Sequence, residues 1–203
     1  MDILNILLII LFTPLASSLV IILIGRERKK WAPWIALLGS ITILGATAAL
    51  FLVFKDFSYK VSWEWLSFGQ HTFYLGFVFD NIGATMLAMV SVVSLCITIF
   101  STGYMSDDPA KGRYFSGLSF FMFSMLGIIL SSNLIMIFLF WELVGFSSYL
   151  LIGHYFEKNE ARQASLKAFI VNRVGDFGFL IGIILTYWQF GTTNIEAIAL
   201  ADG

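Results

Sequence analysis

Glu142, Arg173 and Asp176 are the residues whose types and positions could do chemistry. Each is ionisable, and each lies inside a long apolar stretch: Glu142 within 133–153, Arg173 and Asp176 within 168–190. Glu142 stands about nine residues from either end of its stretch. At a helical rise of about 1.5 Å per residue it would be roughly 14 Å deep. A charge at such depth in a bilayer costs about 2.5–3.5 kcal/mol on insertion scales. A sequence keeps such a group where it is paired, hydrated or used. The chemistry open to carboxyls and a guanidinium in a low dielectric is proton loading and release. Burial favours a neutral carboxyl, and an approaching cation favours a carboxylate.

The spacing narrows the roles without closing them. Arg173 and Asp176 are i, i+3, so they share a helix face, and Asn172 extends that polar stripe. A structural salt bridge and a relay element both fit the pair, and the two are compatible. Glu142 has no partner on its own helix, because its i±3 and i±4 neighbours are Leu139, Gly145, Phe138 and Phe146. Its partner has to come from another helix or from water. It reads either as a protonated carboxyl bonded to a neighbouring helix or as a titrating group on a proton path. Ser147, Ser148 and Tyr149 end the same stretch with hydroxyls that could hold water. His154, just past it, reads as an interfacial residue or a proton-uptake group. Gly175, Gly178 and Gly182 would let a neighbouring backbone approach closely.

The elements that must hold these groups are transmembrane helices. The chain is 59% hydrophobic and 12% charged, with mean hydropathy +0.87. A soluble domain carries about 25% charged residues. Six apolar stretches approach the ~20 residues that a bilayer requires. They fall at about 4–24, 33–54, 81–103, 114–130, 133–153 and 168–190. Continuous rather than alternating apolar runs exclude a barrel. The fold class expected is an all-α polytopic membrane protein of about six helices, with 1–203 forming one membrane domain. Pro33 suits a first helical turn, and Pro14 lies inside the first helix, where it is expected to kink it. The first run lacks the basic start and small-residue cleavage site of a signal peptide, so it is expected to be a retained helix.

Nine cations lie in the odd loops: Arg26, Arg28, Lys29, Lys30, Lys111, Arg113, Lys158, Arg162 and Lys167. The even loops and tails hold only Lys55 and Lys60. Positive residues stay inside, which predicts odd loops on the cytoplasmic side and both chain ends outside. The long loop at 55–80 contains His71 and partly alternates apolar with polar residues. It predicts a short extracytoplasmic β-hairpin with Trp63, Trp65 and Tyr74 near the headgroups. A net charge of −1 gives no reason to expect nucleic acid as a partner. Cys96 is the one cysteine, so a zinc or iron–sulfur site would need ligands from elsewhere.

The run from Phe140 to Gly178 resembles the fifth and sixth helices of the antiporter-like subunits of respiratory complex I. Its start, Phe140-Trp141-Glu142, is shared with Mrp-type sodium/proton antiporters. The continuation Ser148-Tyr149-Leu150-Leu151-Ile152-Gly153 is more selective. Lys167-Ala168-Phe169 with Asn172-Arg173-Val174-Gly175-Asp176 is similar to the L subunit in particular. Ser101-Thr102-Gly103-Tyr104-Met105 matches the end of that family's third helix. The resemblance covers the whole chain in order and topology.

That resemblance implies a proton-translocating membrane subunit of NADH:quinone oxidoreductase, as part of a translocase. Glu142 would be the essential glutamate, Asp176 an aspartate coupled to the neighbouring subunit, and Arg173 its companion. NADH, FMN, iron–sulfur clusters and quinone would bind other subunits, with no cofactor or metal in this chain. The partners implied are the lipid bilayer and other membrane subunits, especially a neighbouring antiporter-like one. The bacterial inner membrane is the expected location. Thr98 departs from the histidine often found there in the family, which puts a proton-path role for that position in doubt. Family members are longer, and their next helix carries a lysine that pairs with the glutamate. The ending at 195–203 shows no stop signal or docking element in sequence, and the chain reads as a piece of a longer protein. Alternatives are an Mrp-type sodium/proton antiporter subunit and a membrane subunit of a bicarbonate-uptake complex.

Overall fold

The structure of the chain, a computed structural model, describes residues 2–24, 29–54, 58–68 and 71–201. Arg26, Arg28 and Lys55 of the charge argument lie outside the described residues. Among the described residues, six helices are long and apolar enough to cross a membrane: α1 (Ile3–Ile24), α2 (Ala32–Val53), α3 (Asn81–Tyr104), α4 (Lys111–Leu130), α5 (Leu134–Ile152) and α6 (Asn159–Phe190). Strands β1 (Ser58–Phe68) and β2 (His71–Asp80) intervene between α2 and α3, and α7 (Ile195–Ala201) closes the chain.

Two of the long helices, α3 and α5, start where the sequence supplies a side-chain cap. Asp80 Oδ1 accepts from Gly83 N at 2.7 Å and opens α3. Asn133 Oδ1 accepts from Met136 N at 2.9 Å and opens α5. Each satisfies an orphan donor of a first turn. Pro33 sits in the first turn of α2, as expected.

The sixth helix departs from the sequence reading. It starts at Asn159 rather than near 168, so Arg162 and Lys167 ride on helix and not on a loop. Its 32 residues reach about 48 Å against a hydrocarbon core of about 30 Å. A hydropathy window finds only the apolar part of such a helix. The polar first turns form because backbone hydrogen bonding continues whether or not lipid surrounds it.

α4 is the hub of the bundle, packed by α1, α2 and α5, while α3 rests on α2 and α4. Ile6, Leu7, Ile10, Ile43, Leu50, Leu87, Phe115 and Leu126 fill the centre. Gly127 permits the tightest approach: a Cβ there would lie 2.1 Å from the Phe140 ring of α5. Between α1, α2, α3 and α4 the interior is laced with hydroxyls. Ser18 meets Ser116 at 3.0 Å, Ser40 meets Thr98 at 3.0 Å, and Ser101 meets the Tyr114 hydroxyl at 3.1 Å. Ser40 and Thr98 also bond a carbonyl of their own helix, Ala36 O at 3.0 Å and Ser94 O at 2.8 Å. Small hydroxylated residues let membrane helices pack closely.

The expected hairpin is present. β1 pairs antiparallel with β2 from Ser58↔Asp80 to Phe68↔His71, with an irregularity between Glu64 and Leu66. Trp63, Trp65 and Tyr74 are exposed, as the headgroup reading requires.

At the hairpin end the chain is also stitched by backbone. Ser132 N donates to Gly76 O at 3.1 Å, and Leu134 N donates to Thr193 O at 3.0 Å. Lys60 forms an ion pair with Glu196 of α7. The chain's last described segment is therefore docked, contrary to the sequence reading of 195–203. Apart from that ion pair, its stitches are backbone hydrogen bonds, which leave no side-chain signature.

Candidate functional site

α5 and α6 run side by side and bring the three sequence-predicted residues together. Glu142 faces α6, where its Oε2 forms an ion pair with Arg173 Nη1. The same Nη1 lies 3.8 Å from Asp176 Oδ2. One guanidinium thus sits between two carboxylates from two helices. Glu142 has a partner on another helix, one of the two sources that the sequence left open. The i, i+3 pair exists as well, but it is the longer of the two contacts. Sequence spacing sees only partners on the same helix, so the Glu142–Arg173 contact was not readable from it.

The three side chains differ in exposure. Arg173 is 41% exposed, Glu142 20% and Asp176 11%. The guanidinium also lies over the Phe169 ring, 4.8 Å from its centroid, a contact that suits a weakly hydrated cation. Phe169 in turn packs on Tyr149 of α5. Beside the triad lies a groove of about 510 Å³ between α5 and α6, open on one side. Trp141, Gly145, Asn172, Gly175, Asp176 and Phe179 are among its walls. Asp176 is thus placed to meet both the guanidinium and the groove.

The glycine stripe behaves otherwise than expected. No neighbour lies within 4 Å of a Cβ built on Gly175, Gly178 or Gly182. Their small size opens space on α6 and brings no other described backbone close.

The remaining sequence candidates divide. Ser147 is buried and donates to Val144 O at 3.0 Å. Thr98 is buried among the hydroxyls of α2 and α3, away from the charged triad. His154 is buried in a 3-10 turn (Gly153–Tyr155) that links α5 to α6. Its Nε2 lies 3.1 Å from Asp108 Oδ2 in the α3–α4 loop. Asp108 did not stand out in the sequence, since an aspartate in a loop before Pro109 signals only a turn. Burial raises the Asp108 pKa, but hydrogen bonds from Ala110 N–H, His154 and Tyr155 and the charge of His154 outweigh it, leaving the carboxyl below its usual range.

Residues 131–202, which include the whole triad, match the family described as NADH:quinone oxidoreductase/Mrp antiporter, TM. Residues 65–115 match the N-terminus of chain 5 of NADH-ubiquinone oxidoreductase (complex I). The chain belongs to the antiporter-like subunits of NADH:quinone oxidoreductase. It is 48% identical over 140 residues to NAD(P)H-quinone oxidoreductase subunit 5 of the organellar chromatophore of Paulinella chromatophora, covering 69% of this chain and 21% of that protein. It is 41% identical over 172 residues to the chloroplastic subunit 5 of Physcomitrium patens, covering 84% of this chain and 24% of that protein. For chain 5 of Synechocystis sp. the values are 45% over 141 residues, 70% and 21%. This antiporter-like chain thus spans about a fifth to a quarter of the length of these relatives.

Two solved structures share the fold. The archaeal membrane-bound sulfane sulfur reductase matches with a TM-score of 0.79 at 18% identity, over 96% of this chain and 39% of that one. The Mrp complex from Dietzia sp. matches with a TM-score of 0.78 at 20% identity, over 95% and 20%. The antiporter-like fold therefore extends beyond quinone-reducing complexes.

Proposed function

We propose that this chain belongs to a proton-translocating subunit, in which Glu142 takes up and releases the proton while Arg173 and Asp176 pass on the change in charge. The observation that carries this reading is the guanidinium placed between Glu142 on α5 and Asp176 on α6. Arginine does not give up its proton in a protein, so all titration in the triad falls on the two carboxyls. With both ionised the triad carries one net negative charge, which a low-dielectric site disfavours. One proton shared between them makes the triad neutral. A shift of the guanidinium toward one carboxylate leaves the other free to load a proton. A partner that moves Arg173, or brings a second cation into the groove, changes proton occupancy at Glu142.

Electron transfer then takes place on other subunits, which hold NADH, FMN, iron–sulfur clusters and quinone. The groove beside Asp176 faces other parts of the membrane arm, including a neighbouring antiporter-like subunit. The protein resides in a bacterial inner membrane, with the cation-bearing loops cytoplasmic and the hairpin outside. The split of loop cations supports that orientation. Reporter fusions at residues 30 and 157 should report the cytoplasm, and a periplasmic result at either reverses the orientation.

The decisive measurement is proton pumping in sealed vesicles by the complex carrying Glu142→Gln in the full-length subunit. The variant keeps size and polarity and removes titration. Pumping should fall at least ~10-fold with assembly intact, and Glu142→Asp should retain part of it. Wild-type pumping in the glutamine variant refutes the proton-carrying role. A strict need for sodium in the same vesicles would favour the sodium/proton antiporter reading.

A further inference from the structure

A second buried ionisable cluster lies at the opposite end of α5 from its Asn133 cap. Asp108 and His154 have side chains 8% and 5% exposed and meet at 3.1 Å. They join two segments 46 residues apart in sequence, the α3–α4 loop and the turn between α5 and α6. Four further contacts fix that turn. Arg113 of α4 donates to the His154 carbonyl, and its guanidinium lies 4.7 Å from the Phe156 ring centroid. The Tyr114 ring of α4 meets the imidazole edge-on at 5.5 Å. Ser165 Oγ of α6 would lie 3.2 Å from a Cβ built on Gly153.

The turn is in a position to control the charged triad. α6 rests mainly on α5 and on this turn. Arg173 lies eight residues beyond Ser165 on the same helix, roughly two turns away. Any displacement of the turn is therefore carried along a rigid helix to the guanidinium. We infer that Asp108 and His154 are a positioning pair that latches the α5–α6 turn and makes the Glu142–Arg173 contact depend on the pH at that end of the bundle.

The sign follows from the groups that face His154. Asp108 is the anion, on the α3–α4 loop. α4 brings the Arg113 cation to the backbone carbonyl and Tyr114 to the ring edge. Tyr155 stands next in the turn, with Lys158 Nζ 5.2 Å from its ring centroid. α6 contributes the uncharged Ser165, and the last turn of α5 directs Tyr149 onto Phe169. Asp108 is held below the usual aspartate range, so its contribution is present above that range and disappears only as pH falls through the lowered value. Between about pH 5 and 8 the carboxylate stays charged, and histidine is the side chain that changes charge there. At the acidic end the pair is an ion pair of two opposite charges. At the alkaline end it is a hydrogen bond from a neutral imidazole to the carboxylate, without the attraction between opposite charges. The latch tightens as pH falls across this range.

Hydrogen exchange on the whole assembled complex, corrected for the intrinsic effect of pH, tests the latch without reference to pumping. Amides of 105–108, of 110 and of 153–158 in the wild type should lose protection by roughly fivefold between about pH 6 and pH 8. His154→Gln and Asp108→Asn should each remove that pH response. Equal wild-type protection at both pH values overturns the latch, and that comparison needs no variant to fold. A wild-type pH response persisting in His154→Gln overturns it too. The pumping arm rests on the proposed proton-translocating function. In sealed vesicles His154→Gln should flatten the dependence of pumping on cytoplasmic pH, and an unchanged profile separates the latch from the triad. Wild-type pumping by Glu142→Gln would defeat the proposed function and leave the exchange result standing.

Discussion

The helices α1–α4 and the pair α5–α6 solve opposite problems with the same lipid around them. In α1–α4 the buried polar groups are hydroxyls, almost all bonded within their own helix or across one interface. None carries charge, so the interior costs little to bury and packs closely around α4. In α5–α6 the buried hydroxyls Ser147 and Ser165 are joined by ions, the packing is open, and glycines leave space where α4 uses a glycine to admit a ring. Close packing around hydroxyls makes a scaffold. Ions beside open space are what the proposed proton site requires.

Substitutions can break that division. The largest contrast should be between Glu142→Gln and Thr98→Val in vesicle pumping. The first should nearly abolish it, while the second removes a hydroxyl of the scaffold and should keep more than about half of it. Loss of pumping in Thr98→Val with normal assembly would place proton chemistry among the hydroxyls and erase the distinction.

Removing Arg173 comes next. Arg173→Ala leaves Glu142 and Asp176 without their shared cation, a loss of about 1–3 kcal/mol, below that of a fully buried pair because the guanidinium is 41% exposed. Less assembled subunit should accumulate in membranes than for Arg173→Ala combined with Asp176→Ala, which leaves one carboxyl fewer. Both variants should pump poorly. Additive effects on assembly in the double-mutant cycle would mean that Arg173 and Asp176 do not interact.

The smallest expected effect separates two glycines. Gly127→Ala forces a methyl against Phe140 and should lower the thermal stability of the complex by a few degrees, since overpacking costs about 1–3 kcal/mol. Gly175→Ala meets open space in this chain. If it is as harmful as Gly127→Ala, another part of the assembled protein fills the groove.

Much of this was readable from the sequence, and the limits have physical causes. Six helices and a hairpin follow from hydropathy and alternation, which record how each residue meets lipid or water. Glu142, Arg173 and Asp176 stood out because a charge inside an apolar run is expensive wherever it points. Their pairing across helices did not, because helical periodicity describes one helix at a time. The length of α6 was underestimated because its polar first turns carry no lipid signal. His154 could be singled out, but its burial depends on Asp108, which approaches from another loop. The docking of 192–196 uses backbone donors and acceptors that every residue possesses.

The seam at the hairpin end also constrains how the protein is made. Ser132 and Leu134 bond to Gly76 on one side and to Thr193 on the other. Ribosomes release these three segments in order, separated by whole transmembrane passes. The first stitch can close once α4 has crossed the bilayer, but the second must wait until α6 has been threaded through. Insertion of α6 therefore allows a backbone clasp that only a correctly inserted chain can fasten. A nascent chain with one helix inverted would present Thr193 on the wrong face of the membrane and leave the clasp open to quality-control proteases.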